Sequence, residues 1–472
     1  MEAVNCKFAV IADPHYYSEK LGVSGESYRR RAGSDQKMLA ESKGTVKAAL
    51  DEIKNSDAEF LLIAGDLSND GERVSHEEMR EMLYDFKKTK PVYVVTATHD
   101  WCCDENPRRY EGSEVFHDVE TLGAGELRDF YKDFGPEDAA AEYFTHLNNS
   151  SYVLTPKKGI SVFCLNDDQN GKGSSGYSDE HFDWIKEQVK EAKSRGDLVF
   201  GMQHHHLYLT EFERATNGRG SVEYRKEQAS KFADIGFKAM FVGHSHMQHI
   251  RRHISKNGNE YYEINIGSIS GYPAPIAYCE IKDGKLSVNT SHLKSFEFNG
   301  KTYENEYLKN HATALFQNVI SAAATNEKQE FAALMESVGM SNEKSYKLWI
   351  VARPLLKKLD TLTVKSAARL FNSLTFGKAV NKKAAKEIGG VKVKDMIFEA
   401  FHSLLDGSLT VHNEGSAYYT VFTDALSVPY KAVKKLHIKN ESLLNTLEHL
   451  KNAAPEIMTG GPLNNNSIEI EL

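Results

Sequence analysis

Two aspartates and four histidines carry the chemistry legible in this sequence. They fall in short polar motifs in a fixed order: Asp13-Pro14-His15, Gly65-Asp66, Thr98-His99-Asp100, His204-His205 and Gly243-His244-Ser245-His246. Asp13 and His15 are two residues apart, and so are His244 and His246. On an extended segment such pairs face the same way, so each pair can hold one ion. Asp66 has two carboxylate oxygens and can bridge two ions, and His204 adds another nitrogen. Oxygen and imidazole ligands without cysteine suit hard-to-borderline divalent metals, with Mn, Fe and Zn all compatible. The ligands are too few to close two shells, which leaves positions for water and substrate. Two metals about 3.5–4 Å apart can clamp a phosphoryl group during in-line attack. The leaving oxygen then needs a proton or a compensating charge. His99 is placed for that, with Asp100 able to orient it.

The elements that must position these motifs are short apolar runs. Lys7–Ala12, Phe60–Ala64, Val92–Val95, Leu198–Met202 and Ala239–Val242 read as buried strands, each followed by one of the motifs. Helical patterns at 37–55 and 75–88 alternate with the first three strands, which implies parallel strands joined by crossover helices. Ligands at the carboxyl ends of strands match the place where open α/β sheets carry their sites. Residues 101–150 form a long polar insert, expected to act as a lid or substrate wall. Further strands are expected at 151–154, 160–165, 261–266, 276–281 and 286–288, and a capped helix at 178–193.

From about Tyr303 the texture turns helical, with segments at 331–338, 344–359, 391–405, 418–436 and 442–453. The expected organisation is a catalytic domain over 1–298, a helical domain over 299–458 and a flexible tail over 459–472.

Composition narrows the function. The chain has 472 residues, which favours two domains. It is 40% hydrophobic and 26% charged, as a soluble globular protein is, and no apolar stretch is long enough to span a membrane. The net charge is -8, split as -11 before residue 299 and +3 after it. An acidic front half argues against a long nucleic acid as partner but not against a small phosphate ester. The amino terminus runs into a strand without a signal-peptide pattern, so a cytoplasmic location is expected. Five cysteines, two of them adjacent, are not a disulfide framework. His206 is not expected to be a ligand, because neighbours on a strand alternate faces, and His249 and His253 are expected at the surface or in a lid. Asn69 and Asp70 shape the loop after Asp66 or touch substrate.

The ordered motif set resembles the calcineurin-like metallophosphoesterase superfamily over roughly residues 7–290. The stretches at 65–72 (GDLSNDGE), 243–250 (GHSHMQHI) and 267–275 (GSISGYPAP) resemble bacterial members related to cyclic-nucleotide phosphodiesterases, some of which carry a helical carboxy-terminal domain. The resemblance implies an α/β fold, a four-layer α/β/β/α sandwich of two facing mixed sheets, followed here by the all-α domain. It implies a dinuclear centre with Asp13, His15 and His246 on the first metal, Asp66 bridging, and His204 and His244 on the second. His99 would be the acid or a transition-state stabiliser, Asp100 its partner, and His205 would lie near the phosphate. The implied reaction is hydrolysis of a phosphodiester, with a cyclic nucleotide among the candidate substrates, by metal-bound hydroxide. Two alternatives stand beside it: a phosphomonoesterase or nucleotide hydrolase, and a catalytically impaired binding protein. The motive for the last is that the family's Gly-Asn is Ala97-Thr98 here. A threonine hydroxyl is a shorter and poorer ligand than an asparagine amide, so a weakly held second metal is expected.

Overall fold

The structure, a computed structural model, describes all residues except 1–3, 169–174, 217–221, 325–327, 330, 333–344, 347–348, 351–356, 360, 375–378 and 436–440. In chain order the strands are β1 (Asn5–Ile11), β2 (Phe60–Ala64), β3 (Val92–Val95), β4 (Arg109–Glu111), β5 (Glu114–Phe116), β6 (Ala141–Phe144), β7 (Ser150–Lys157), β8 (Ile160–Cys164) and β9 (Leu198–Met202). Then follow β10 (Ala239–Val242), β11 (His249–Ile254), β12 (Glu260–Asn265), β13 (Pro275–Lys282), β14 (Lys285–His292), β15 (Ser295–Phe298), β16 (Lys301–Glu304) and β17 (Ser467–Glu471).

Two large mixed sheets result, ordered β17-β14-β13-β1-β2-β3 and β11-β12-β10-β9-β8-β7-β6. β1, β2 and β3 are parallel, with Val10 opposite Leu62 and Ile63 opposite Val94. The expected crossover helices lie at Ser42–Lys54 and Arg73–Lys87.

Strand alternation builds four layers. Phe8, Val10 and Ala12 point inward with Phe60, Leu62 and Ala64, and meet Phe200, Met202, Phe241 and Ile264 of the second sheet in one cluster. The Phe8 and Phe200 rings stack across the gap at 5.0 Å. Ala9, Ile11, Leu61 and Ile63 point outward onto Val46, Leu50, Met79 and Leu83 of the two helices. On the far side Phe163, Val199 and Met240 pack on Phe182, Ile185 and Val189 of the helix Asp179–Ser194 and on Phe232 of the helix Val222–Asp234. Strands apolar on both faces are what a sheet covered by helices requires. Burying each large side chain contributes about 1.5–3 kcal/mol.

Several expectations change. The insert over 101–150 is built rather than loose: it contains the β4–β5 hairpin, a helix at Ala124–Phe130 and β6. The hairpin of β15 and β16 straddles position 298, and the helices begin with Asn305–Ala324. The tail is not free. β17 pairs antiparallel with β14, Val288 opposite Ile468, and Ile470 is buried in the inter-sheet core. Its Ser-Ile-Glu-Ile-Glu pattern alternates, which is the strand signal.

Helices at Val393–Leu405, Ala417–Lys435 and Glu441–Thr459 match the helical reading of the second half. The segments expected at 331–338 and 344–359 lie largely outside the described residues. No helix among the described residues is long and apolar enough to cross a membrane.

Candidate dinuclear metal centre

The site forms where β1, β2, β3, β9 and β10 end. Backbone bonds tie their exits together: Asp13 N–H donates to Gly65 O at 3.2 Å, His15 N–H to Asp66 O at 2.9 Å, and Gly243 N–H to His204 O at 3.0 Å. The His244 amide donates to both oxygens of Asp13, at 3.0 and 3.1 Å. Two glycines make room. A Cβ on Gly65 would stand 2.4 Å from the His204 ring, and one on Gly243 would stand 2.4 Å from the Asp13 carboxylate. The glycine preceding Asp66 and the one preceding His244 are therefore each required by the side chain packed across from it.

Five of the six residues named as metal ligands have left-handed backbone: Asp13 (φ 51°), His15 (40°), Asp66 (52°), His244 (73°) and His246 (56°). Non-glycine residues held there cost about 1–3 kcal/mol each and cluster at functional sites. Sequence offered no sign of this. The i, i+2 argument assumed extended backbone, whereas both members of each pair turn through the left-handed region.

The side chains nevertheless converge. His15 Nε2 lies 3.7 Å from Asp13 Oδ1, 3.6 Å from Asp66 Oδ2 and 2.9 Å from His246 Nε2. His204 Nε2 lies 3.0 Å from Asp66 Oδ2 and 3.9 Å from Asp13 Oδ1. The ligand atoms of Asp13, His15 and His246 fall within 4.8 Å of one another, and so do those of His204, His205 and His244. The Asp66 carboxylate stands between the two trios. Its Oδ1 accepts the His99 backbone N–H at 3.2 Å, which leaves Oδ2 facing both His15 and His204.

The donor set fits divalent metals on its own chemistry. His204 gives its Nδ1 to the Ala64 carbonyl at 2.9 Å, which leaves its buried Nε2, 3.0 Å from Asp66 Oδ2, turned into the centre. A backbone carbonyl behind the ring is how a metal-binding imidazole is oriented. His15 and His246 bring their Nε2 atoms within 2.9 Å of each other, so both could serve one ion.

Electrostatics divide the ligands: burial opposes a charge on His204, but Asp66 and Asp13 raise it well above the usual imidazole range. Burial holds His15 and His244 well below the usual imidazole range, and burial with the charge of Lys37 brings His246 to about 3. These rings are neutral, as ligands must be. Burial raises Asp13 to about 7. Burial also works against an ionised Asp66, but His204 and His99 outweigh it and hold that carboxyl well below its usual value.

His99 is partly exposed at the rim, its ring edge-on to His15 at 4.8 Å between centroids. Asp100 is not its partner. The Asp100 carboxylate accepts the amides of Ser68 and Ala97, both at 2.9 Å, and so clamps the loops after β2 and β3. The His99 ring turns the other way, with Nδ1 on the Asn69 carbonyl and 3.6 Å from Asp70 Oδ1. Asp70 is in turn fixed by Arg108 at 2.9 Å. Burial and Lys37 oppose a charge on His99, but Asp66 and Asp70 prevail and raise it above the usual histidine value.

Thr98 is buried, and its carbonyl accepts the Cys103 backbone N–H at 3.0 Å. His205 stands beside His244, ring centroids 4.5 Å apart, and its Nδ1 is 3.1 Å from Asp167 Oδ1. Sequence reading missed Asp167, although Asn166-Asp167-Asp168 follows the apolar β8 run just as the other motifs follow theirs. His206 is not among these clusters; it faces Glu213 at 2.8 Å. His249 is buried, contrary to the surface expectation, because it opens a strand that the sequence did not reveal.

With this geometry in view, the family comparison is direct. The model of the calcineurin-like phosphoesterases matches residues 6–248, just over half of the chain, and the chain belongs to that family of phosphoric ester hydrolases. No curated protein matches it in sequence. Among solved structures it is similar to a dimetal phosphatase from Danio rerio, at 12% identity and TM-score 0.42, covering 64% of this chain and 99% of that one. It is also similar to a purple acid phosphatase from yellow lupin (Lupinus luteus) seeds, at 10% identity and TM-score 0.42, covering 64% and 53%. A third is the NAD nucleotidase of Haemophilus influenzae, at 12% identity and TM-score 0.36, covering 77% and 62%.

Proposed function

We propose that this chain hydrolyses a small phosphodiester at a centre of two divalent metals. Asp13, His15 and His246 hold one metal, His204 and His244 the other, and Asp66 lies between them. The observation that supports this reading above all is the convergence of six side chains, four of them buried (Asp13, His15, Asp66 and His204), on the Asp66 carboxylate. When bound, such metals supply charge for the phosphoryl oxygens and an activated water.

The chain's own groups do the rest. The His99 amide fixes Asp66 so that one oxygen faces both trios. His99, with Nδ1 committed to Asn69 O, keeps Nε2 for a proton donated to the leaving oxygen. Asp70 keeps that ring charged, and Asp100 keeps the two loops in register. Asp167 orients His205 within the second trio, where it can serve in place of an amide at position 98.

Elemental analysis for Mn, Fe and Zn with matched bis-aryl and mono-aryl phosphate esters tests the proposal. Two metals per chain and faster cleavage of the diester are expected. Faster cleavage of the monoester would move the assignment to a phosphomonoesterase or nucleotide hydrolase. Absence of turnover with both metals bound would favour a binding protein.

A further inference from the structure

The chain that leaves β9 after His204 and His205 is fastened at once. Leu207 and Tyr208 N–H donate to the buried Glu263 carboxylate at 2.6 and 2.8 Å, and Arg225 holds the His206 carbonyl. A short helix at Glu211–Thr216 follows and faces two ways. Its first turn is closed by the Thr-x-x-Glu pattern of Thr210 and Glu213. Glu213 N–H donates to Thr210 Oγ1 at 3.2 Å, and Glu213 Oε2 accepts the Thr210 amide at 2.8 Å. The cap uses one carboxylate oxygen. The other, Oε1, stands 2.8 Å from His206 Nε2, with both side chains buried.

His206 is no ligand, but it is packed against one. The His244 ring is set among His204, His205 and His206, with centroids at 5.3, 4.5 and 5.6 Å. Each of those three rings has a fixed group behind it: the Ala64 carbonyl for His204, Asp167 for His205 and Glu213 for His206. On its outer side the short helix belongs to the helical half. Phe212 packs on that half's core, and Glu211 Oε2 pairs with His449 Nδ1 at 2.9 Å. Glu456, on the same helix Glu441–Thr459, accepts the Glu211 amide at 3.4 Å and also pairs with Arg251 of β11. One carboxylate thus ties together the two stretches of chain that lead away from His205 and from His246.

We propose that the helical half keeps the second metal's ligands in place, with Glu213 as the positioning residue that acts through His206 on His244. The inference deepens the dinuclear reading and rests on it for the second metal. Its physical basis is that an imidazole ligand binds well only when its ring is held in the orientation the ion requires, and groups behind the ligands supply that hold. Here the hold continues outward, from His244 to His206, to Glu213, to the short helix, and through Glu211 and Phe212 to the helical half. Loosening the short helix from outside should therefore be felt at one metal and not at the other.

The test titrates Mn(II) into the metal-stripped full chain, followed by calorimetry and by competition with a chelator. Glu213→Ala is expected to weaken the second metal about tenfold, at the lower end of what losing a partner behind a ligand costs, and to leave the first unchanged. Glu213→Gln keeps the size and an acceptor oxygen for His206, so it should recover most of the loss. The double variant Glu211→Ala with His449→Leu, which loosens the same helix from outside, should weaken the same metal to a smaller extent. Unaltered binding of both metals in a folded Glu213→Ala protein would overturn the proposal. Equal weakening of both would do so too, because that is the mark of a general loss of structure. If Glu213→Ala does not fold, the double variant decides, and unchanged metal binding there sinks the idea. A wild type that binds two metals, with variants that bind them as tightly, would remove this inference and leave the dinuclear reading standing. A wild type that takes up a single metal would remove both.

Discussion

At the scale of single residues, the centre is a set of side chains each fixed by a neighbour that sequence spacing does not show. Asp167 is one such neighbour. Asp167→Asn is expected to loosen His205 and weaken one metal by about tenfold to a hundredfold, the usual effect of losing a partner behind a ligand; competition with a metal chelator measures it. Thr98 makes the opposite case. Its hydroxyl is shorter and a poorer ligand than an asparagine amide, so the wild type should show one tight and one weaker site on metal titration, and Thr98→Asn should tighten the weaker one. Two equally tight sites in the wild type would contradict this. His99 is raised by Asp66 and Asp70, so its acid form persists to higher pH than that of a free histidine. Hydrolysis should therefore fall as pH rises through that raised value, and His99→Gln should flatten that limb of the rate profile.

At the scale of elements, the loops after β2 and β3 are held from behind by the helix Arg73–Lys87. His76 on that helix is fully buried between the Tyr131 hydroxyl and the Asp100 carbonyl, at 2.7 Å from each. Burial lowers its pKa to about 4. In the unfolded chain it binds its proton near pH 6.5, so the unfolded state takes up more protons between those values. The stability from neutral His76 is fully present above about pH 6.5 and is lost as pH falls toward 4, a change of about 3 kcal/mol. Denaturant titrations at pH 7 and pH 4.5 should show it, and His76→Gln should reduce the difference. The helix was legible from its apolar period, but the role of His76 was not. A lone histidine beside an apolar stripe carries no mark of what it touches.

At the scale of the molecule, the chain's last strand closes the first sheet. Ile468 and Ile470 join a core built from β1, β2 and the second sheet, some 180 residues or more distant in sequence. Ile470→Ala should cost about 2–4 kcal/mol in chemical denaturation, and deleting residues 467–472 should cost more by exposing the edge of β14. The helical half is bound to the same frame. Tyr272 donates to Asp406 at 2.9 Å, Arg251 pairs with Glu456, and the Gln248 amide donates to the Leu405 carbonyl. Gln248 and Arg251 follow His246 closely in the chain, and Tyr272 lines the same small cavity as His246, so the helices border the centre.

The sequence alone determined the strand-and-helix rhythm of the front half, the points where ligands leave the sheets, and the type of ion they suit. All of these follow from local pattern: the period of apolar residues fixes which face is buried, and a polar motif ending an apolar run must lie at a strand's end. Only the tertiary structure decided which carboxylate faces which ring. It assigned Asp70 rather than Asp100 to His99, set Asp167 behind His205 and drew the tail into the sheet. Those pairings depend on backbone turned through left-handed conformations and on contacts between segments far apart in the chain. Neither has a signature in residue spacing.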